Sequence, residues 1–279
     1  MTNSKHIIAV VGPTAVGKTA RAIEIAQKFQ TEILSADSRQ VYQEMNIGVA
    51  RPSVEELSAV PHHFIASHSI HQPLTAGQFE REALETLSNL FQVHDTVVVV
   101  GGSGLYIKAL LEGLDNLPKD DHVRAALMEE GESLGWDQLS KKLEELDPEY
   151  ARTADLKNPR RLVRALEVMA ITGKKFSELR LKAALERPFT TTYENMEMDR
   201  SDLYDRINRR VDDMMELGLL EEVRTLISFQ RLEPLQTVGY AEFFPYFDGE
   251  YSLDFAVDKV KQHSRNYAKR QLTWFKHQI

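Results

Sequence analysis

A chain of 279 residues can form one large domain or a core with a second lobe, and its 42% apolar composition is ample for a buried core, which argues against disorder. The absence of cysteine excludes disulfides and thiolate metal sites, and no apolar run approaches the roughly 18 residues of a membrane span, so a soluble cytoplasmic protein with no membrane partner is expected. A net charge of −8 would ordinarily count against a nucleic-acid partner, because neutralising phosphates supplies most of that affinity.

The average hides an asymmetry. Residues 120–150 carry ten acidic side chains against three basic ones, whereas residues 157–187 carry nine Lys/Arg against three acids and residues 259–279 carry six with no acid. Two basic segments on an acidic chain suit either a polyanionic partner or solvated helix faces.

In chain order, HIIAVV (6–11) is a β-branched run ending at Gly12, and ARAIEIAQKF (20–29) repeats its apolar positions at helical spacing. Strand, loop and helix are therefore predicted in succession. EILSAD (32–37) reads as a second buried strand, AGQFEREALETLSNLF (76–91) as an amphipathic helix and TVVVVGG (96–102) as a third strand. Strands alternating with helices imply a parallel sheet covered on both faces, an α/β fold like that of P-loop NTPases. Residues 122–187 show helical periodicity without a convincing strand, which predicts an all-helical insertion at 115–195 between core segments 1–114 and 196–279. MEMD (196–199) is read as the strand that returns the chain to the sheet. Residues 201–227 are expected to form one or two helices broken near Gly218, and 252–276 a final helix.

The stretch GPTAVGKT (12–19) has the pattern of a phosphate-binding loop. Gly12 and Gly17 would let the backbone N–H groups of the intervening Pro13-Thr14-Ala15-Val16 turn curl round an anion, the helix behind would aim its positive end at the same point, and Lys18 would add a full charge. The Thr19 hydroxyl is the candidate ligand for Mg²⁺. No guanine-reading motif is present, and the third strand ends in a second glycine loop, GGSGLY (101–106), rather than in an aspartate. In SADSRQVY (35–42), Asp37 lies just beyond a buried strand. It is placed to act as a general base or to support a metal, or simply to close an Asx turn.

On these residues alone a small-molecule kinase, a transferase and a nucleotide-dependent switch all remain open. The stretches GPTAVGKT, SADSRQVY, NIGVARP (46–52), VVGGSGLYIKALLEGL (99–114), NPRRLVRALEV (158–168), RINRRVDDM (206–214), TVGYAEF (237–243) and AKRQLTWF (268–275), taken together and in order, resemble the tRNA dimethylallyltransferase, or tRNA isopentenyltransferase, family. Ser103 stands where threonine is usual there, and Val49-Ala50-Arg51 where Thr-Ala-Lys is usual.

The resemblance implies transfer of a dimethylallyl group from dimethylallyl diphosphate to N6 of the adenosine 3′ to the anticodon, in tRNAs reading codons that begin with U. A monomer using Mg²⁺ is expected. It further implies Asp37 as the base, residues 12–19 as the diphosphate cradle and Thr19 on the metal, with Arg206 and Arg210 as candidates for a second clamp. Contact with the tRNA anticodon stem-loop is implied for Asp37, Ser38, Arg39, Gln40, Ser103, Arg160, Arg161, Leu162, Val163 and Arg164, and for Lys269 and Arg270 in the last helix, though Arg164 could equally pair with Glu167. Trp274 and Phe275 are expected in the core. Prenylation of free adenine nucleotides would differ only in the acceptor.

Overall fold

A computed structural model describes residues 5–115, 117–180 and 185–278. Lys182, which contributes to the second basic segment, lies outside them. The elements in chain order are β1 (His6–Val11), α1 (Lys18–Phe29), β2 (Ile33–Ser35), α2 (Val54–Ala59), β3 (His62–His63), α3 (Ala76–Val93), β4 (Thr96–Gly101) and α4 (Gly104–Glu112). There follow α5 (Asp121–Leu134), α6 (Trp136–Leu146), α7 (Pro148–Ala151), α8 (Pro159–Thr172), α9 (Phe176–Leu179), β5 (Thr190–Asn195), α10 (Arg200–Glu216), α11 (Leu219–Thr225), α12 (Phe244–Phe247) and α13 (Leu253–Gln278). Two compact units result, one of residues 1–112 with 186–279, the other of residues 113–185. Among the described residues no helix is long and apolar enough to cross a membrane.

The first unit is built on a five-stranded parallel sheet of order β3-β2-β4-β1-β5. Successive strand residues point to opposite faces, and both faces of β1 and β4 are apolar, so helices can cover each side. Ile7, Ala9, Val11, Val97 and Val99 join the large core packed by α3, α4 and the C-terminal helices, while Val10, Val98 and Val100 pack with Ala22, Ile25 and Ala26 of α1. Capping boxes at Ser53/Glu56 and Thr75/Gln78 start α2 and α3.

Two expectations need correction. The returning strand is β5, at 190–195 rather than 196–199, and the second unit ends at residue 185 rather than 195. β5 reads TTTYEN and is half exposed. An edge strand buries little, so β-branched threonines suffice and no apolar run marks it.

The second unit is helical throughout its assigned elements, with Leu127, Leu139, Leu143, Leu162, Val163 and Leu166 in its core. At its centre Glu167 is fully buried. Its carboxylate accepts the Asp120 N–H at 2.9 Å and takes hydrogen bonds of 2.9–3.0 Å from the Arg124 and Arg164 guanidinium groups. Burial alone would raise its pKa, but these bonds outweigh burial and hold it below the usual carboxylate range. Because the folded value is depressed, the stabilisation is present above the ordinary glutamate pKa and lost as pH falls through the folded one. Glu167→Ala is expected to lower stability by about 1–3 kcal/mol at pH 7, since it leaves the Asp120 N–H without its acceptor and two partly exposed guanidinium groups without their shared carboxylate. Thermal melts should show this penalty shrinking as pH drops below the ordinary glutamate range.

Candidate active site

The loop between β1 and α1 closes on itself because three residues adopt positive φ: Gly12 at 141°, Ala15 at 65° and Gly17 at 104°. A side chain at Gly12 would also meet the Met196 carbonyl at 2.6 Å, so glycine serves both the turn and the close approach of the segment after β5. The second glycine loop is crowded in the same way. A Cβ on Gly101 would strike the Ala36 backbone, one on Gly102 the Gln271 amide, and one on Gly104 the Trp274 ring.

Gln271 ties the two loops together. Its Oε1 accepts the Thr14 N–H at 2.8 Å and its Nε2 donates to the Gly102 carbonyl at 2.8 Å, with the residue only 6% exposed. Lys18 Nζ donates to the Pro13 carbonyl at 2.7 Å. Burial, which strips water from the ammonium, pulls its pKa down to about 8, with Asp37 pushing it up and Arg210 pulling it further down. Arg210 Nη1 donates to Thr14 Oγ1 at 3.3 Å and is likewise lowered, chiefly by burial. Arg206 is exposed, and its Nη2 lies 3.8 Å from where a Gly17 side chain would begin. Both arginines thus flank the cradle from one face of α10, with Arg210 the more deeply set.

Asp37 follows β2. Its Oδ1 accepts the N–H groups of Arg39 at 2.8 Å and Gln40 at 3.2 Å, the Asx-turn geometry that fixes the carboxylate's orientation. The Ser38 N–H donates to Ser103 Oγ at 2.9 Å, and Ser103 Oγ in turn to Ser38 Oγ at 3.1 Å, so the β2 and β4 loops are held side by side. Gln40 Nε2 donates to the Val49 and Ala50 carbonyls, and Arg39 pairs with Glu233 at 3.3 Å.

A cavity of about 720 Å³ opens over these loops, lined by Thr14, Lys18, Thr19, Asp37, Arg206 and Arg210 among others. A second cavity of about 250 Å³, lined by Met214, Val238, Val260 and Ser264, shares Thr14, Ala15, Asp37, Val49, Arg210 and Tyr267 with the first. Asp37 therefore stands on a wall common to both. Sequence reasoning missed Tyr267 and Gln271. Their only signal was position: Val260, Ser264, Tyr267 and Gln271 fall at spacings of four, three and four on one face of α13. Burial raises the Tyr267 phenol to about 12, so it stays neutral beside Asp37.

The residues expected to touch RNA separate. Asp37 to Gln40 and Ser103 gather at the cavities. Lys269 and Arg270 are exposed on α13, Arg270 lying over the Tyr267 ring at 5.6 Å. In the second unit Arg160 and Arg161 are exposed at the start of α8. Leu162 and Val163, by contrast, are 1% and 3% exposed in the helical core, so their side chains cannot meet RNA. Arg164 is committed to Glu167 and to the Leu117 and Pro118 carbonyls. Phe275 is buried and Trp274 packs on Gly104 and Phe275, as expected of core residues.

The described residues include no cluster of three His, Asp or Glu that could ligate a metal by itself. Thr19, at the start of α1 and on the cavity wall, remains the protein oxygen suited to a hard cation that keeps most of its ligands as water or substrate oxygen.

Comparison with known proteins gives one consistent result. A tRNA dimethylallyltransferase of Cytophaga hutchinsonii is 50% identical over 273 residues, covering 98% of this chain and 90% of that protein. The crystal structure of a tRNA isopentenylpyrophosphate transferase from Staphylococcus epidermidis superposes with a TM-score of 0.70 at 36% identity, covering 99% of this chain and 91% of that one. A eukaryotic dimethylallyltransferase captured acting on tRNA superposes with a TM-score of 0.81 at 29% identity, covering 97% and 70%. The family profile described as IPP transferase matches residues 40–278, and with it the chain belongs to the IPP transferase family.

Proposed function

We propose that this protein transfers the dimethylallyl group of dimethylallyl diphosphate to N6 of the adenosine 3′-adjacent to the anticodon, in tRNAs reading codons that begin with U, releasing diphosphate. The observation that carries this reading is Asp37, held on the wall shared by a cationic phosphate cradle and a smaller, largely apolar cavity. The larger cavity takes the donor's diphosphate and the smaller takes the flipped adenine, so the reacting carbon and the amine meet beside the carboxylate.

In the transfer, the N6 lone pair forms a bond to C1 of the allyl group as the C1–O bond breaks, and the electron pair of that bond leaves with the diphosphate. Loop N–H groups, Lys18, Arg210 and Arg206 stabilise the charge that grows on the leaving group. The N6 proton passes to Asp37, whose Oδ1 is fixed by the Arg39 and Gln40 N–H groups. When bound, Mg²⁺ held by the Thr19 hydroxyl would add Lewis-acid stabilisation of the diphosphate. Exposed Lys269, Arg270 and Arg161 supply charge for RNA phosphates.

Incubation with Mg²⁺, dimethylallyl diphosphate and an unmodified anticodon stem-loop should add one dimethylallyl group to the RNA, read by mass spectrometry. Absence of transfer, with phosphate released from ATP instead, would return the cradle to the kinase reading. Asp37→Asn is expected to lower kcat about 10²- to 10⁴-fold, with diphosphate affinity retained.

The pH profile carries a separate expectation. With Lys18 lowered to about 8 in the free protein, raising the pH through that value removes its charge. kcat/KM for the donor should then fall about tenfold per pH unit above about 8. Lys18→Met should have low kcat/KM at every pH and no such limb.

A further inference from the structure

The smaller cavity is walled on one side by Thr237, Val238 and Gly239 and on the other by Val260, Ser264 and Tyr267 of α13. A single buried carboxylate joins the two sides. Glu242, whose side chain is 6% exposed, accepts the Gly239 N–H at Oε2 over 2.9 Å, and its Oε1 lies 2.7 Å from Nδ1 of His263, the residue beside Ser264. An ionised carboxylate only accepts, so Nδ1 carries the proton in this contact.

Gly239 is itself constrained. Its φ is +95°, and a side chain there would approach the Gly48 carbonyl at 3.1 Å. Gly48 lines the same cavity, its N–H bonded to Glu222 Oε1 at 3.0 Å, and the Tyr240 hydroxyl donates to that same oxygen at 2.6 Å. Glu222 thus fixes the Gly48 wall from within its own layer. Glu242 is the link from the 237–239 loop to the long helix that also carries Tyr267 and Gln271.

None of this machinery touches the cradle. Lys18, Thr14 and Arg210 are held by Pro13, Gln271 and one another. The side chains that hold Glu242 thus differ from those that hold the cradle, though α13 carries members of both sets.

We infer that Glu242 and His263 form a positioning pair for the acceptor base: Glu242 holds the Gly239 loop against α13, and His263 holds Glu242, so that the smaller cavity keeps the shape that presents the amine to Asp37. This rests on the assignment of that cavity to the flipped adenine. Neither residue is a catalytic one, since neither lines the cavity.

The test separates the two substrates. His263→Ala alters a half-exposed side chain, so the fold should survive. kcat/KM for the anticodon stem-loop is expected to fall about tenfold or more, the scale of a misplaced reactant, while KM for dimethylallyl diphosphate stays within about twofold. Glu242→Gln should recover most of the activity that Glu242→Ala loses, because its amide oxygen can still accept the Gly239 N–H and its NH₂ can face the other histidine tautomer. A parallel rise in donor KM, or no change in either parameter for His263→Ala, would overturn the inference. Binding of inorganic diphosphate and of fluorescent stem-loop RNA distinguishes this failure from failure of the functional reading. If wild-type protein binds diphosphate but neither binds nor modifies RNA, the acceptor assignment falls and the pair's role falls with it. If the wild type modifies RNA and the variant binds both ligands unchanged, only the pair's role falls.

Discussion

Two cations stripped of water beside one carboxylate set the terms for the rest of the molecule. Burial lowers the pKa of Lys18 and of Arg210; Arg210 lowers Lys18 further, Arg206 does the same to Arg210, and Asp37 offsets both. Desolvated like charges are unfavourable unless compensated. The protein holds them by geometry that is costly in conformational terms: an alanine at positive φ, a loop that tolerates no side chain at Gly12, and a second loop packed until Gly101, Gly102 and Gly104 each face a neighbour. On the proposed function, a diphosphate in this cradle would supply compensating negative charge. That charge would ease the cation crowding while the strained backbone stays as it is, the mark of a pre-formed site.

The long C-terminal helix is what keeps the cradle from relaxing. Gln271 bridges the two glycine loops through one donor and one acceptor, Tyr267 stands beside Asp37 as a neutral phenol, and Trp274 closes over Gly104. A buried amide that uses both ends is hard to replace, since glutamate could not donate to Gly102 and leucine would leave two backbone groups without partners. The helix therefore serves the chemistry from one face. From its exposed side it presents Lys269 and Arg270 to solvent.

How much of this was legible follows from the kind of signal each residue leaves. β1 and β4 are buried on both faces, and so appear as unbroken Ile/Val runs. β5 and the two-residue β3 lie at the sheet edges, need little apolar surface, and leave no run to find. The cradle was readable because its glycines, lysine and threonine are contiguous. Gln271 was not, because its partners Thr14 and Gly102 lie 257 and 169 residues away and nothing local marks a glutamine on a polar helix. The tract Arg160 to Arg164 shows the opposite error. Helical periodicity turns Leu162 and Val163 inward, while Arg164 takes the alternative its neighbour Glu167 offered, an ion pair that belongs to the fold.

The same distinction resolves the charge paradox of an acidic protein with an anionic substrate. Several arginines and lysines are paired with acids: Arg21 with Glu194, Arg124 and Arg164 with Glu167, Arg187 with Glu80, Lys261 with Asp212. Among the described residues, Lys18, Arg206, Arg210, Lys269 and Arg270 make no such ion pair, and the first three line the larger cavity. Net charge sets the far field, which falls off within about a Debye length of ~8 Å in physiological salt. Inside that distance the uncompensated cations decide, and surrounding acidity then acts as selection. It weakens the pull on polyanions except where cations without a carboxylate partner gather, as Lys18, Arg206 and Arg210 do at the larger cavity.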